Sequence, residues 1–582
     1  MKGKLIAFLV TAVMVIGLPI SVRCAAPSVA ELLPPDSFGY AELSDFGVFY
    51  YLIGELGEAA VLSLEEEAEL PGDIKVKGRA MLEAFNEIRP LLPRSVGLGV
   101  VSIDPETGGQ PSLLLVSELS EALAPVVSAA SKLLVFAPNV KVTKTEDGVE
   151  VVLPHDGMPP IGTTVRDNVL YAAMGKGLLG ETLSRRPSAS LAQTANFKAV
   201  HAITGKSALL SAYINLDAIG KKVIPILPPP AQRWVELLGV KDLHAAGMSL
   251  SADEEMVGFN LALRYTEDAP GIPSLLSLPN TTPKGIAYVP DNFSYVTRFS
   301  IGPPAEFMKK VRALVGRAGE GESIDQAFAN LKENMGIDME KILAALGGEI
   351  TIGVKVPETL EIPEMVLCVE ATDPEYLMGT LKTLLAGDAA PASLTEVEVG
   401  GRKTMTITPK FPLPVTPVMG VDDDMIVIAV SSDVLQNAFA AKANGKNIAS
   451  KASFKAAMKG LPADSNVALE YIELEDLGQM IVAGVGLAAG NAPAEAKPMI
   501  DKAMQYVNRA FQDIQPGAEV VYRTPGGLAI QSRMGTRSVM QVLKNGAAFA
   551  AKAAMYVVAR REMSEIEEPP VEAEEVEELT EE

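Results

Sequence analysis

Few of the most reactive side chains are present in this chain of 582 residues, which has three histidines, two cysteines and one tryptophan. His155, His201 and His244 are too scattered for metal-ligand spacing, and neither HExxH nor HxH occurs. Each reads as a surface or internally satisfied histidine, not as a base or a ligand. Thr204-Gly205-Lys206-Ser207 imitates the end of a phosphate-binding loop. The glycine that opens such a loop would stand where the chain has Val200. The order is also helix, loop, strand, so no helix N-terminus would face the phosphate. Asp422-Asp423-Asp424 suggests a cation, but a calcium loop spaces its oxygens at alternate positions and adds a glycine and a later glutamate. Three consecutive aspartates between two apolar runs read as a solvated hairpin turn.

Cys368, in the apolar MVLCVEA, reads as a small buried hydrophobe. With Cys24 it supplies neither a disulfide framework nor a thiolate metal site. No GxSxG elbow is present to anchor a serine nucleophile, and among 73 acidic residues nothing selects a catalytic pair. The sequence therefore names no catalytic, cofactor-binding or metal-ligating residue, and no cofactor is expected.

The elements that would position any site come in two sets. VRDNVLYAAMGKGLLGETL (Val165 to Leu183), ANFKAV and LLSAYINLDAIG are answered by VDDDMIVIAVSSDVLQNAF (Val421 to Phe439), ASFKAA and ALEYIELEDLG. Offsets of 256, 257 and 258 separate Val165 from Val421, Phe197 from Phe454 and Tyr213 from Tyr471. Upstream, Pro35, Asp36, Phe38 and Tyr40 match Pro290, Asp291, Phe293 and Tyr295 at a constant 255. Gly99 and Glu118 match Gly353 and Glu370, and Lys198 matches Lys455. The retained residues are mostly apolar, Gly, Pro and Tyr, which is the pattern of a scaffold. Hairpin turns are expected at Asp147-Gly148 and Gly400-Gly401, and a helix capped by Asp373 with Pro374 at its first position. The expected fold is α+β: two tandem copies of an antiparallel-sheet domain with helices packed on one face, at 27–265 and 286–535, joined by a proline-rich linker over 266–285.

Around these copies lie segments of other character. Lys2 and Lys4 precede an apolar run from Leu5 to Ile20, so residues 1–26 read as a signal peptide. The alternatives are lipidation at Cys24, which Arg23 opposes, and an uncleaved anchor, for which the run is short. Residues 536–561 read as a helix packed on the second copy, with a membrane-surface helix as the alternative. The last 21 residues hold 11 glutamates and no basic residue, and are expected to be disordered. Of the net charge of −23, about −15 remains on the body, which disfavours nucleic acid as a partner.

Pro35, Asp36 and Tyr40 in LPPDSFGYAEL, with Phe197 and Lys198 in NFKAV before LLSAYINLDAI, resemble the bacterial envelope family catalogued as domain of unknown function 3352. The resemblance implies export and architecture, and supplies no catalytic residues. The expected function is thus a periplasmic or secreted, non-enzymatic binding or structural protein that holds an apolar ligand or an envelope partner. The rival is a periplasmic hydrolase with its site in one copy. The N-terminal segment is the route for any membrane association. N-terminal sequencing of the native protein is expected to find residues 1 to about 24 removed. Recovery of Met1 from a soluble cytoplasmic fraction would refute export.

Overall fold

A computed structural model describes residues 27–535, apart from 66–71, 89–92, 105–109, 122, 134–140, 153–158, 206–207, 253–255, 320, 358–361, 387–389, 412–414 and most of 477–513, together with Val539 and Lys544. The signal-like segment, nearly all of 536–561 and the acidic tail lie outside the described residues.

Ten strands precede residue 266: β1 (Gly39–Leu43), β2 (Ser95–Asp104), β3 (Gln110–Glu118), β4 (Lys141–Lys144), β5 (Val149–Val152), β6 (Ile161–Arg166), β7 (Val169–Met174), β8 (Leu210–Asn215), β9 (Leu243–Ala252) and β10 (Met256–Tyr265). Ten follow: β11 (Tyr295–Ser300), β12 (Leu346–Lys355), β13 (Glu364–Ala371), β14 (Ala392–Val399), β15 (Arg402–Pro409), β16 (Val418–Asp422), β17 (Met425–Ala429), β18 (Ala468–Ile472), β19 (Gly517–Thr524) and β20 (Gly527–Gly535). All pair antiparallel. The first ten run 4-5-6-7-3-2-1-8-9-10 across the sheet. The second ten run 14-15-16-17-13-12-11-18-19-20. β10 and β20 pair along their length, from Met256 opposite Gly535 to Arg264 opposite Gly527, so one continuous sheet carries both sets.

Residues directly opposite in adjacent strands point to the same face. Tyr40 lies opposite both Gly99 and Tyr213, and Tyr213 opposite Gly247. This inner face is roofed by the helix Ala195–Thr204, which Thr194 caps by accepting the Phe197 N–H at 3.3 Å. Buried Phe197 meets Tyr213 edge-on at 5.2 Å and Tyr40 at 6.2 Å. The helix sits this close because Gly247 has no side chain: a Cβ there would lie 2.3 Å from Val200. In the second set, Phe454 of the helix Ala452–Ala457 packs on Tyr471 at 5.1 Å.

The structure departs from the sequence expectation in two main places. Tyr295 does not hold the place of Tyr40. Val296 is the residue opposite both Gly353 and Tyr471, while Tyr295 stands opposite Val354 and faces outward. The sheet there begins one residue later: Ser294, not Phe293, donates to the Val354 carbonyl, as Phe38 donates to that of Val100. The constant offset of 255 held only through the turn. Nor are the helices confined to one face. Leu123 and Val127 of the helix Leu123–Leu133 pack on Val165 and Leu170, which alternate with inward Val169 and Tyr171. The helix Pro374–Leu384 does the same with Met378 against Met419 and Ile426. VLYAAM and MIVIA are apolar on both faces, and a strand of that kind needs cover on both.

Phe197→Ala and Phe454→Ala should each cost about 3–5 kcal/mol in urea unfolding, the range for emptying a buried aromatic site. Tyr295→Ala, on the outer face, should cost less than either. Losses below about 1 kcal/mol at both phenylalanines would show that they do not anchor their helices.

Candidate functional site

On the inner face of the first set, a cleft of about 590 Å³ opens between two walls. One wall is β1 with the short helix Val29–Leu32, and it contributes Glu42 and Glu31. The other is the helix Ala195–Thr204, and it contributes Lys198 and His201, one turn apart. Tyr40 and Ser211 close the floor. Glu42 accepts the Ser28 hydroxyl at 2.9 Å and the Val29 N–H at 3.2 Å, so it caps the helix Val29–Leu32. Burial pushes its carboxyl above the ordinary value, those two hydrogen bonds pull back, and Glu31 adds to the rise. Burial likewise pushes the Tyr40 hydroxyl up to about 12. The His201 ring stacks on Phe197 at 5.2 Å.

The same place in the second set is filled. Glu42 lies opposite Gly97 and Ser211, and Arg298 lies opposite Thr351 and Leu469 in the corresponding strands. Arg298 is fully buried. Its guanidinium donates to the Asn466 carbonyl (2.7 Å) and Oδ1 (2.8 Å), to Glu349 (3.0 Å) and to Thr281. Glu349 in turn accepts the Lys284 and Gly285 N–H groups at 2.9 and 2.7 Å, at the start of the 3₁₀ turn Gly285–Tyr288. In both sets a carboxylate caps the helical segment that leads into the sheet. Among the described residues, only the second set supplies an arginine to neutralise it.

The outer face is different in kind. Leu98, Ile214, Met248, Phe259, Phe299 and Ile350 all point outward by register and are 36–47% exposed. At the seam, a groove of about 330 Å³ lies between Phe259, Ile472 and Met534, with Val539 at its edge. Glu470 and Glu519 stand directly opposite each other in its floor. Burial, and then Glu470, push the Glu519 carboxyl up.

The structure disperses the residues that could have done chemistry. His155 and Lys206-Ser207 lie outside the described residues. His244 bonds Asp217 at 2.9 Å and Thr266 at 2.8 Å. Cys368 is fully buried, which pushes its thiol up. Asp422, Asp423 and Asp424 form a hairpin turn, with Asp423 at φ 53°. Each meets a cation: Asp422 meets Arg402 (2.5 Å) and Lys442 (3.0 Å), Asp423 meets Lys442 (2.6 Å), and Asp424 meets Lys284. Among the described residues no group of three or more His, Cys, Asp or Glu is placed to hold a metal. Of the two described histidines, His201 reaches the cleft and His244 does not. Glu42 and Arg298 escaped the sequence reading because each stands at a place where the other set has a different residue type.

A long antiparallel sheet with a polar inner cleft and an apolar outer face thus defines the class, an α+β scaffold. A model of the family described as Protein of unknown function (DUF3352) matches residues 83–466, about two thirds of the chain, and the chain belongs to this family. No curated protein matches. Crystal form IV of TP0453 is 13% identical, with 40% of this chain and 79% of that one covered at a TM-score of 0.21. Crystal form III is 12% identical, with 45% and 90% covered at 0.22. Values this low support no shared architecture.

A carboxyl raised on folding favours the protonated form, so its stabilising contribution is full below the unfolded value near 4.5 and is lost as pH rises through the folded value. Glu42→Gln should therefore raise the thermal midpoint at pH 7, and the gain should shrink as pH falls toward 4. A midpoint at pH 7 equal to or below that of the parent protein would show a carboxylate that costs nothing.

Proposed function

We propose that this chain is an exported, non-enzymatic binding or structural protein of the bacterial cell envelope, built from two tandem copies of one α+β unit, and that its outer sheet face receives an apolar ligand or partner. The observation that carries the reading is the half-exposed apolar side chains on the outward face of β2, β8, β9, β10, β11 and β12. A soluble surface normally breaks up such a run, and a patch that persists marks a binding surface. The identical strand order of the two sets supports the tandem reading. The basic start and apolar run at the N-terminus support export. Among the described residues no helix is long and apolar enough to cross a membrane.

The rival, a hydrolase with its site in one copy, draws on the cleft that joins Glu42 and His201 in the first set only. It requires turnover, whereas the binding reading requires retention.

A fluorescent C18 fatty acid titrated into the full chain tests the leading reading. Saturable binding is expected, weakened at least tenfold in a Phe259→Asp/Phe299→Asp double variant. Stability should change by under about 1 kcal/mol, because substitutions at exposed positions are usually mild. No saturable binding, or equal binding by the double variant, would overturn the apolar-ligand reading.

A further inference from the structure

We propose that the cleft of the first set is a binding site for a small zwitterion of the basic amino-acid class, with its cationic head on Glu42 and its carboxylate toward Lys198 and His201. The second set supplies the template. There, a guanidinium occupies the same register position, bonded to a carboxylate that also caps the entering helical segment. The first set keeps the capping carboxylate, now Glu42, and leaves out the guanidinium. Ser95 stands in β2 where Glu349 stands in β12, so the arrangement is not restored by exchanging partners. What remains is a cleft of about 590 Å³, within the range of small-molecule sites, with a half-buried carboxylate that no basic side chain among the described residues neutralises. A bound cation would remove the cost of desolvating that charge, which gives the site a thermodynamic reason to be occupied.

The opposite wall sets the rest of the ligand. Lys198 and His201 face the cleft from one side of a helix, while Glu31 and Glu42 face it from the other wall. Walls of opposite sign select a molecule with both charges and disfavour a simple polyamine or a simple anion. The site lies on the face opposite the apolar surface, so its ligand and a fatty acid on the outer face do not compete for space.

Isothermal titration of the full chain with L-arginine, agmatine and L-citrulline tests the assignment. L-arginine should bind one site saturably. Agmatine, which lacks the carboxylate, and citrulline, which lacks the positive head, should each bind at least tenfold more weakly. Glu42→Gln keeps a cap acceptor and should weaken arginine at least tenfold. Lys198→Ala should bring arginine down to the level of agmatine. Ala202→Trp, at the exposed rim of the cleft, should block binding without touching the core. The proposal is overturned if arginine gives no saturable heat, if Glu42→Gln binds as the parent does, or if agmatine binds as tightly as arginine.

Discussion

The ladder between β10 and β20 is the constraint from which the rest of the molecule follows. Nine residue pairs join the last strand of one set to the last strand of the other. Without them there are two sheets, each with a long bare edge. With them there is one, and its ends fall at β4 and β14, whose outermost strands carry lysine and glutamate. A sheet this wide has two large faces, and the helices among the described residues do not cover both. The inner face of the first set is covered by a short helix seated over small residues, Gly247 and Ala262. Toward the ends, strands apolar on both faces draw a second helix. The middle of the outer face is left half-covered, and the apolar surface on which the binding reading rests is a direct result.

The sequence was most legible where the two sets agree. Glycines that admit a helix, such as Gly99 and Gly353, cannot be replaced without a clash, so they persist and mark the register. The Gly400-Gly401 turn, the Asp373 cap and the Phe197 and Phe454 anchors were readable because each depends on local geometry or on a single buried ring. The turn expected at Asp147-Gly148 instead falls one residue earlier, with Glu146 and Asp147 between Thr145 and Gly148. Tyr295 misled for a related reason. A turn can hold an offset that the strand after it has already lost by one residue, and a one-residue slip exchanges the two faces. Only backbone pairing reveals this.

The cleft was not legible, and the cause is physical. Glu42 and Arg298 take opposite charges at one position, so comparing the sets within the sequence removes them from view. Polar residues shared by both halves are those that both need for folding. A residue that only one half has been free to change is not among them. The Glu470 and Glu519 pair escaped for another reason: the two lie 49 positions apart and meet only through strand pairing. Nor does one-dimensional spacing say that all three residues of Asp422-Asp423-Asp424 are neutralised by lysines and an arginine from other elements.

The ladder at the seam also carries a kinetic burden. β9 and β10 can form a hairpin as soon as residue 265 is available, and β19 and β20 as soon as residue 535 is. Their union waits for two preformed edges more than 260 positions apart along the chain to meet. Until then each molecule displays two strands of similar length that lack a neighbour on one side. A second molecule at the same stage offers the same two strands, and the hydrogen bonds made across molecules are chemically the same as those made within one. The feature that gives the native sheet its width therefore makes its assembly a competition between one chain and two, decided by concentration.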